Sequence, residues 1–178
     1  MRGLLIGRFQ PFHGGHLEVV RKILSDRPAA SLLIGVGSAE DSYTWENPFT
    51  AGERIEMIER ALSAAKISGA LLVPIADIRR HALWVSYLEA LLPTFDRVYT
   101  NNALTRVLFE RSGYLVESPP LFERARFEGA RIREQLAEGS AWKEAVPPTV
   151  AAYLEEIGAP ARLQVLQQAS GRFGRGHA

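Results

Sequence analysis

Near its start this 178-residue chain reads Gly7-Arg8-Phe9-Gln10-Pro11-Phe12-His13-Gly14-Gly15-His16. These ten residues are the most informative about its fold. They follow the apolar run Leu4–Ile6 and precede an amphipathic stretch from Leu17 to Leu24, so the chain passes from a buried strand through a glycine-bearing turn into a helix. Such a turn directs backbone N–H groups and a helix dipole at its ligand, which favours phosphate. The turn also carries one arginine and two histidines, three potentially cationic side chains. It therefore predicts a site for phosphoryl or nucleotidyl chemistry.

Strand-like and helix-like segments alternate along the rest of the chain. Five apolar runs are each typical of a parallel strand buried on both faces: Leu4–Ile6, Leu32–Val36, Leu71–Ile75, Arg97–Tyr99 and Tyr114–Val116. Helices are predicted between them and after them: Leu17–Leu24, Ile55–Ala65 behind a capping box at Thr50, Ala82–Leu92, Ala103–Ser112 before Gly113, Ile132–Glu138, Thr149–Ile157 and Arg162–Ala169. The pattern predicts an α/β fold with a Rossmann-like doubly wound parallel sheet and a helical C-terminal portion. We expect one domain over residues 1–169 and a mobile tail over 170–178.

Composition narrows the possible partners and compartments. Lys and Arg number 21 against 20 Asp and Glu, so the net charge of +1 predicts neither a nucleic-acid nor a membrane partner. The absence of cysteine excludes disulfide scaffolds, thiolate zinc sites and a cysteine nucleophile. No apolar run approaches the ~18 to 20 residues of a membrane span, and the N-terminus does not resemble a signal peptide. We therefore expect a cytoplasmic protein, with no length left over for a second domain.

Common nucleotide-binding signatures are missing. The chain has no G-x-x-x-x-G-K-[ST] sequence, which excludes a P-loop ATPase or kinase. Gly35-Val36-Gly37 begins a dinucleotide fingerprint, but Glu40 stands at its third glycine and the segment follows the second strand instead of the first. The phosphate site is therefore expected at the first turn.

The first turn carries a family resemblance. His13-Gly14-Gly15-His16 resembles the H-x-G-H signature of the nucleotidyltransferase superfamily, and the whole decapeptide resembles that of archaeal-type nicotinamide-mononucleotide adenylyltransferases. The resemblance covers the chain to about residue 160. Further similar blocks follow the first turn in order: Gly37–Ala39, Asn47–Arg54, Asp77-Ile78, Ala82–Val85, Arg97–Asn102 and Pro119–Phe122. The resemblance implies a nucleotidyltransferase-type Rossmann-like sheet and a function in NAD biosynthesis.

The implied reaction is adenylyl transfer. In this family the 5′-phosphate of nicotinamide mononucleotide attacks the α-phosphorus of ATP directly, giving NAD and pyrophosphate. The nucleophile is already an anion at neutral pH, so neither a general base nor a covalent enzyme intermediate is needed. The protein must hold two mutually repelling anions in line and stabilise the charge that moves onto pyrophosphate.

The resemblance also implies roles for individual residues. The residues expected to act in catalysis are His13, His16, Arg8 and Arg133. Those expected to bind ATP are Gly7, Arg8, Phe9, His13, His16, Gly129 and Arg133. Those expected to bind nicotinamide mononucleotide are Trp84, Ser38, Asp77, Asn101 and Asn102. Mg²⁺ is expected to bridge the triphosphate, with other divalent ions possible, and no protein-held metal site is predicted because H-x-x-H supplies too few ligands. Some relatives are oligomers, and we expect a homo-oligomer.

Several alternatives stay open at this point. Trp84 has helical spacing with Leu88 and could simply pack in the core, and Asn101-Asn102 could simply end a strand. The family's Ser-Gly-Thr-x-Ile-Arg is replaced by Glu128-Gly129-Ala130-Arg131-Ile132-Arg133. We expect Glu128 to face solvent and Arg133 to keep a phosphate-binding role. The function could instead be that of a sister nucleotidyltransferase with another acceptor, such as phosphopantetheine, or of a non-catalytic nucleotide-binding module.

Overall fold

The computed structural model describes residues 2–27, 31–123 and 126–171, so most of the predicted tail, residues 172–178, lies outside the described residues. The strands are β1 Arg2–Gly7, β2 Ser31–Val36, β3 Ala70–Pro74, β4 Arg97–Tyr99 and β5 Leu115–Glu117. The helices are α1 Gly14–Asp26, α2 Ala51–Ala64, α3 His81–Leu91, α4 Ala103–Arg111, α5 Gly129–Glu138, α6 Pro148–Glu156 and α7 Ala159–Ala169, with a 3₁₀ turn at Trp142–Ala145.

The five strands form one sheet in the order β3-β2-β1-β4-β5, and every neighbouring pair is parallel. The strand order reverses between β1 and β4, which is the point where open α/β sheets bind their ligands. The predicted doubly wound sheet and the helical C-terminal portion are confirmed. The domain limits 1–169 stay a prediction.

Alternating side chains of the strands enter two separate cores. Leu5, Leu32 and Ile34 join the larger core, which also contains residues of α1, α2 and α5 to α7. Leu4 and Leu33 point the other way, into the core that contains residues of α3 and α4. The prediction of burial on both faces is wrong for the edge strands, because Leu71 of β3 and Leu115 of β5 are each about half exposed.

Local sequence signals define most helix ends. The Thr50 hydroxyl accepts from the Glu53 N–H and the Glu53 carboxylate accepts from the Thr50 N–H, which is the predicted capping box. Gly113 adopts φ +86° after α4, as predicted. α5 begins three residues before its predicted start, at Gly129, because the residues before Ile132 include no large apolar side chain that would show helical periodicity.

One ion pair joins the C-terminal helices to α2. Both guanidinium nitrogens of Arg162 on α7 donate to the Glu53 carboxylate at 2.8 Å, and both side chains are largely buried. Arg162 also donates to the Pro48 carbonyl at 3.2 Å and lies over the ring of Tyr43. Glu53 therefore starts α2 and anchors α7 with the same carboxylate.

Replacing Glu53 with Gln should lower the free energy of unfolding by about 1–3 kcal/mol, because Arg162 would keep its burial but lose its charged partner. Urea denaturation at neutral pH measures this change. Glu156→Gln is the matched control: it removes an exposed ion pair to Arg60 and should cost less than about 1 kcal/mol. Equal losses in the two variants would contradict the anchoring role.

Candidate active site

Two neighbouring cavities open at the carboxyl ends of β1 and β4. The histidine cavity, of about 400 Å³, is lined by Phe9, His13, His16, Phe127 and Gly129 among others. The tryptophan cavity, of about 310 Å³, is lined by Arg8, Ser38, Asp77 and Trp84 among others. Ile6, Gly7, Thr100 and Asn102 line both cavities, so ligands in the two would meet at the switch point of the sheet.

The two histidines of the turn cap the helix that follows it. His13 is the N-cap of α1, and its Nδ1 accepts from the His16 N–H at 3.3 Å. The Nδ1 of His16 accepts in return from the His13 N–H, also at 3.3 Å. The pair thus forms a capping box built from two imidazoles, which satisfies two backbone donors at the helix start.

This capping box determines which ring nitrogen can serve a ligand. A nitrogen that accepts a hydrogen bond carries no proton, so the proton of each neutral imidazole is assigned to Nε2. Both rings line the histidine cavity. The turn therefore presents two neutral Nε2–H donors, stacked with ring centroids 3.5 Å apart.

The protonation state differs from the expectation of a cationic turn. Burial lowers the pKa of His13 to about 4. Burial and the neighbouring His13 ring hold the pKa of His16 well below its usual range. At neutral pH the ligand-free histidines are uncharged, because desolvation penalises the imidazolium and the two rings lie too close for both to be charged.

Aromatic rings hold the histidine pair on both sides. Phe12 stacks on His16 at 5.5 Å, and Phe127 stacks on His13 at 5.9 Å with the ring planes 10° apart. The ring of Phe9 meets His16 edge-on at 4.9 Å. The four rings of Phe12, His16, His13 and Phe127 form one continuous stack that restrains both imidazoles.

Phe127 explains why glycine stands between the two histidines. A Cβ at Gly14 would lie 2.7 Å from the Phe127 ring, and a Cβ at Gly15 would lie 2.9 Å from its Cβ. Sequence reasoning missed Phe127, because it lies 111 positions after His16 and only folding brings the two together. The available signal was the pair of glycines in the turn.

Trp84, Ser38 and Asp77, three of the residues predicted to bind a common ligand, line the tryptophan cavity together. Trp84 also meets Phe109 edge-on at 5.7 Å, so it belongs both to the core and to the cavity wall. The Asp77 N–H donates to both carboxylate oxygens of Glu40 at 3.0 Å, which ties the loop after β3 to the loop after β2. Glu40, which interrupts the glycine fingerprint, thus has a structural contact of its own.

The structure separates the two predicted asparagines. Asn101 lines the histidine cavity, where its side-chain amide donates to the Pro119 carbonyl at 3.0 Å. Asn102 lies between the cavities and caps α4, since its side chain accepts from the Thr105 N–H. Asn102 is therefore partly committed to the strand-ending turn that the sequence left as an alternative.

Arg8 and Arg133 do not lie side by side at the histidines. Arg8 is exposed and lines the tryptophan cavity. Arg133 is buried and donates to the Gln10 carbonyl at 2.9 Å, so it contacts the turn from behind. The lining of both cavities, within the described part of the chain, does not include Arg133.

The start of α5 opens into the histidine cavity. Glu128, its N-cap, is exposed, as expected, but it also lines that cavity, and its side chain makes no capping hydrogen bond. Two helix N-termini, those of α1 and α5, therefore meet at one cavity and favour an anion there. Trp45 and Trp142 both lie in the larger core.

Residues 2–27, 31–123 and 126–171 contain neither a cluster of metal ligands nor a membrane-spanning helix. In this part of the chain no three His, Asp or Glu side chains are grouped to hold a metal ion. No helix there has the length and apolar character to cross a membrane.

Comparison with known proteins identifies relatives of this chain. Residues 4–135 match the family model described as cytidylyltransferase-like. A nicotinamide-nucleotide adenylyltransferase from Thermoplasma acidophilum is 49% identical over 93% of this chain and 91% of its own length. One from Picrophilus torridus is 45% identical over 94% and 98%.

A solved structure from Francisella tularensis shares the fold. It is a bifunctional NMN adenylyltransferase/ADP ribose pyrophosphatase complexed with AMP and a manganese ion, and it superposes with a TM-score of 0.77 at 20% identity. The match covers 96% of this chain and 53% of that one, so this chain spans about half the length of that structure.

The capping box predicts how stability depends on pH. The pKa of His13 is about 4 in the folded chain, against an ordinary value of 6.5 for an exposed histidine. Between these two pH values the unfolded chain binds more protons than the folded chain, so the free energy of unfolding decreases as the pH falls from about 6.5 toward 4. His13→Asn keeps a side chain that caps helices but does not titrate. When the pH is lowered from 7 to 4.5, the free energy of unfolding measured in urea should fall by on the order of 2–3 kcal/mol less for this variant than for the parent chain. Identical losses would contradict the buried neutral imidazole.

Proposed function

The chain belongs to the cytidylyltransferase-like family and, within it, to the nicotinamide-nucleotide adenylyltransferases, and from this we propose that its two cavities transfer an adenylyl group from ATP to nicotinamide mononucleotide. The single observation that carries the assignment is the shared wall at Gly7 and Thr100, where the phosphates of two ligands would meet beside the histidine pair. The products are NAD and pyrophosphate.

We propose that ATP occupies the histidine cavity. Its triphosphate would lie at the N-termini of α1 and α5, where the helix dipoles and the first-turn backbone N–H groups outside the capping box favour negative charge. The Nε2–H groups of His13 and His16 are the neutral donors that this cavity offers to phosphate oxygens. Gly7, Phe9 and Gly129 are proposed to bind ATP through backbone and ring contacts.

Nicotinamide mononucleotide would then occupy the tryptophan cavity. The face of Trp84 suits a flat pyridinium cation, by stacking and by cation–π attraction. Ser38, Asp77 and Asn102 line the same space, while Asn101 would act from the other side of the shared wall. Arg8 is exposed at this cavity, where its guanidinium would attract the 5′-phosphate and guide it toward ATP.

The proposed chemistry needs no proton transfer from the protein. A 5′-phosphate oxygen forms a bond to the α-phosphorus, and the bond from that phosphorus to the bridging oxygen breaks as pyrophosphate leaves with the electron pair. The two imidazoles would strengthen their hydrogen bonds as charge moves onto the leaving group. Arg133 would support this arrangement from behind the turn, through the Gln10 carbonyl.

A divalent ion is proposed to enter with ATP. Glu128 is the one carboxylate in the lining of the histidine cavity among the described residues, so phosphate oxygens would supply most of the ligands that hold the ion. Mg²⁺ is the proposed ion, and Mn²⁺ would also serve. A homo-oligomeric state, the lack of a nucleic-acid partner and a cytoplasmic location stay predictions.

The first test incubates the purified chain with ATP, Mg²⁺ and nicotinamide mononucleotide and measures NAD with a coupled dehydrogenase. We expect NAD from the parent chain and a loss of about 10²–10³-fold in kcat for His16→Asn, which keeps the Nδ1-like acceptor but lacks the Nε2–H donor. His16→Gln, whose amide nitrogen reaches the ε position, should retain more activity than His16→Asn.

The outcomes separate the competing functions. NAD formation that is equal in both His16 variants and the parent chain would remove the histidines from the mechanism. Transfer to phosphopantetheine but not to nicotinamide mononucleotide would establish a sister nucleotidyltransferase. Binding of ATP with no transfer to either acceptor would leave a non-catalytic nucleotide-binding module.

Replacing Trp84 with Ala should raise the KM for nicotinamide mononucleotide about 10-fold or more, because the aromatic platform is lost. The KM for ATP should change by less than about threefold, since Trp84 lines the other cavity. Trp84→Phe is the matched control that keeps an aromatic ring. Its KM for nicotinamide mononucleotide should lie between those of the parent chain and Trp84→Ala. An equal rise in both KM values would instead indicate a general loss of structure.

A further inference from the structure

A buried arginine that the proposed mechanism does not use lies directly behind the two cavities. Arg54, on the first turn of α2, is completely inaccessible to solvent. Its guanidinium donates to the carbonyls of Arg8 at 2.9 Å, Gly37 at 2.6 Å and Ser38 at 3.0 Å, and its Nε donates to the Thr50 carbonyl at 3.2 Å. One side chain thus binds the turn after β1, the loop after β2 and the start of its own helix.

These bonds do not form a buried ion pair. Within the described part of the chain, the ion pairs closer than 4 Å do not include Arg54, and its hydrogen-bond partners are backbone carbonyls. Burial lowers the pKa of Arg54 to about 10, so the guanidinium is still charged at neutral pH. A charged donor bonded to several carbonyls fixes their directions more strongly than a neutral one.

The carbonyls belong to peptides that flank two strained residues. Phe9 follows the Arg8 carbonyl and has φ +51°, and Ser38 lies between two bonded carbonyls and has φ +46°. Non-glycine residues adopt this left-handed region at a cost in free energy, and such conformations persist where surrounding contacts over-determine them. Arg54 supplies such contacts to both residues at once.

Each strained residue belongs to a different half of the site. The Phe9 ring lies edge-on against His16 at 4.9 Å, in the histidine cavity. Ser38 and Arg8 line the tryptophan cavity. Arg54 donates hydrogen bonds to the turn after β1 and to the loop after β2. It therefore couples the position of the histidine pair to the position of the wall of the tryptophan cavity.

We propose that Arg54 is a positioning residue for the transfer step: by holding Phe9 and Ser38 in left-handed conformations, it fixes the relative placement of the two cavities. The inference rests on the proposed adenylyl transfer, in which two anions must approach in line. It predicts that Arg54 contributes to the reaction between bound ligands more than to the binding of either ligand alone, because alignment matters only when both are present.

The test uses Arg54→Lys and Arg54→Ala in the full chain, with kcat corrected for the folded fraction. Lysine keeps the charge but cannot direct donors at four carbonyls. We expect kcat to fall about 10- to 100-fold in Arg54→Lys and further in Arg54→Ala, while the Kd of ATP and of nicotinamide mononucleotide, each measured alone by calorimetry, changes less than about threefold. Guanidinium chloride at non-denaturing millimolar concentration should restore part of the Arg54→Ala turnover by occupying the vacated space.

Arg60→Lys and Arg60→Ala are the matched controls, since Arg60 lies on the same helix in exposed ion pairs with Glu56 and Glu156. They should keep the parent kcat and gain nothing from guanidinium. A parent-like kcat in both Arg54 variants would overturn the proposal. It would also be overturned if the variants unfolded and guanidinium restored neither their structure nor their turnover. No NAD from the parent and Arg60 chains would instead refute the proposed function itself.

Discussion

The two reciprocal hydrogen bonds between His13 and His16 are the constraint on which the site depends. Each ring uses Nδ1 to accept a hydrogen bond from a backbone N–H at the start of α1, so both imidazoles stabilise the beginning of this helix. The same bonds assign the remaining ring proton to Nε2, the nitrogen available to a ligand. Helix capping and donor presentation are therefore one interaction, and the aromatic stack from Phe12 to Phe127 restrains it.

The sheet places this turn where it can act on two ligands. The strand order reverses beside β1, which opens one cavity on each side of Gly7. α1 and α5 direct their N-termini into the histidine cavity, and Trp84 on α3 forms a wall of the other. Arg54 and Glu53, neighbours on α2, serve different parts: Arg54 binds the loops behind the cavities, and Glu53 binds Arg162 on α7.

Much of this arrangement could be predicted from the sequence because its signals are local. The apolar runs predicted the ends of the five strands to within two residues, and the decapeptide located the turn. The charge of the histidines could not be predicted, because it depends on burial in the folded chain. The contacts of Phe127 and Arg54 could not be predicted either, because they depend on tertiary packing. Arg54 also binds backbone carbonyls, which every residue type carries, so its partners leave no signal in the sequence.

The most direct test is the ¹⁵N NMR spectrum of the imidazoles at neutral pH, assigned with His13→Asn and His16→Asn in a chain of only four histidines. We expect both rings to be neutral, with the proton on Nε2, and we expect a non-hydrolysable ATP analogue to shift the Nε2 signals while Nδ1 stays unprotonated. A proton on Nδ1 of either ring in the free chain, or Nε2 signals unmoved by the analogue, would contradict this expectation. The first result would remove the capping box, and the second would remove the histidines from the nucleotide site.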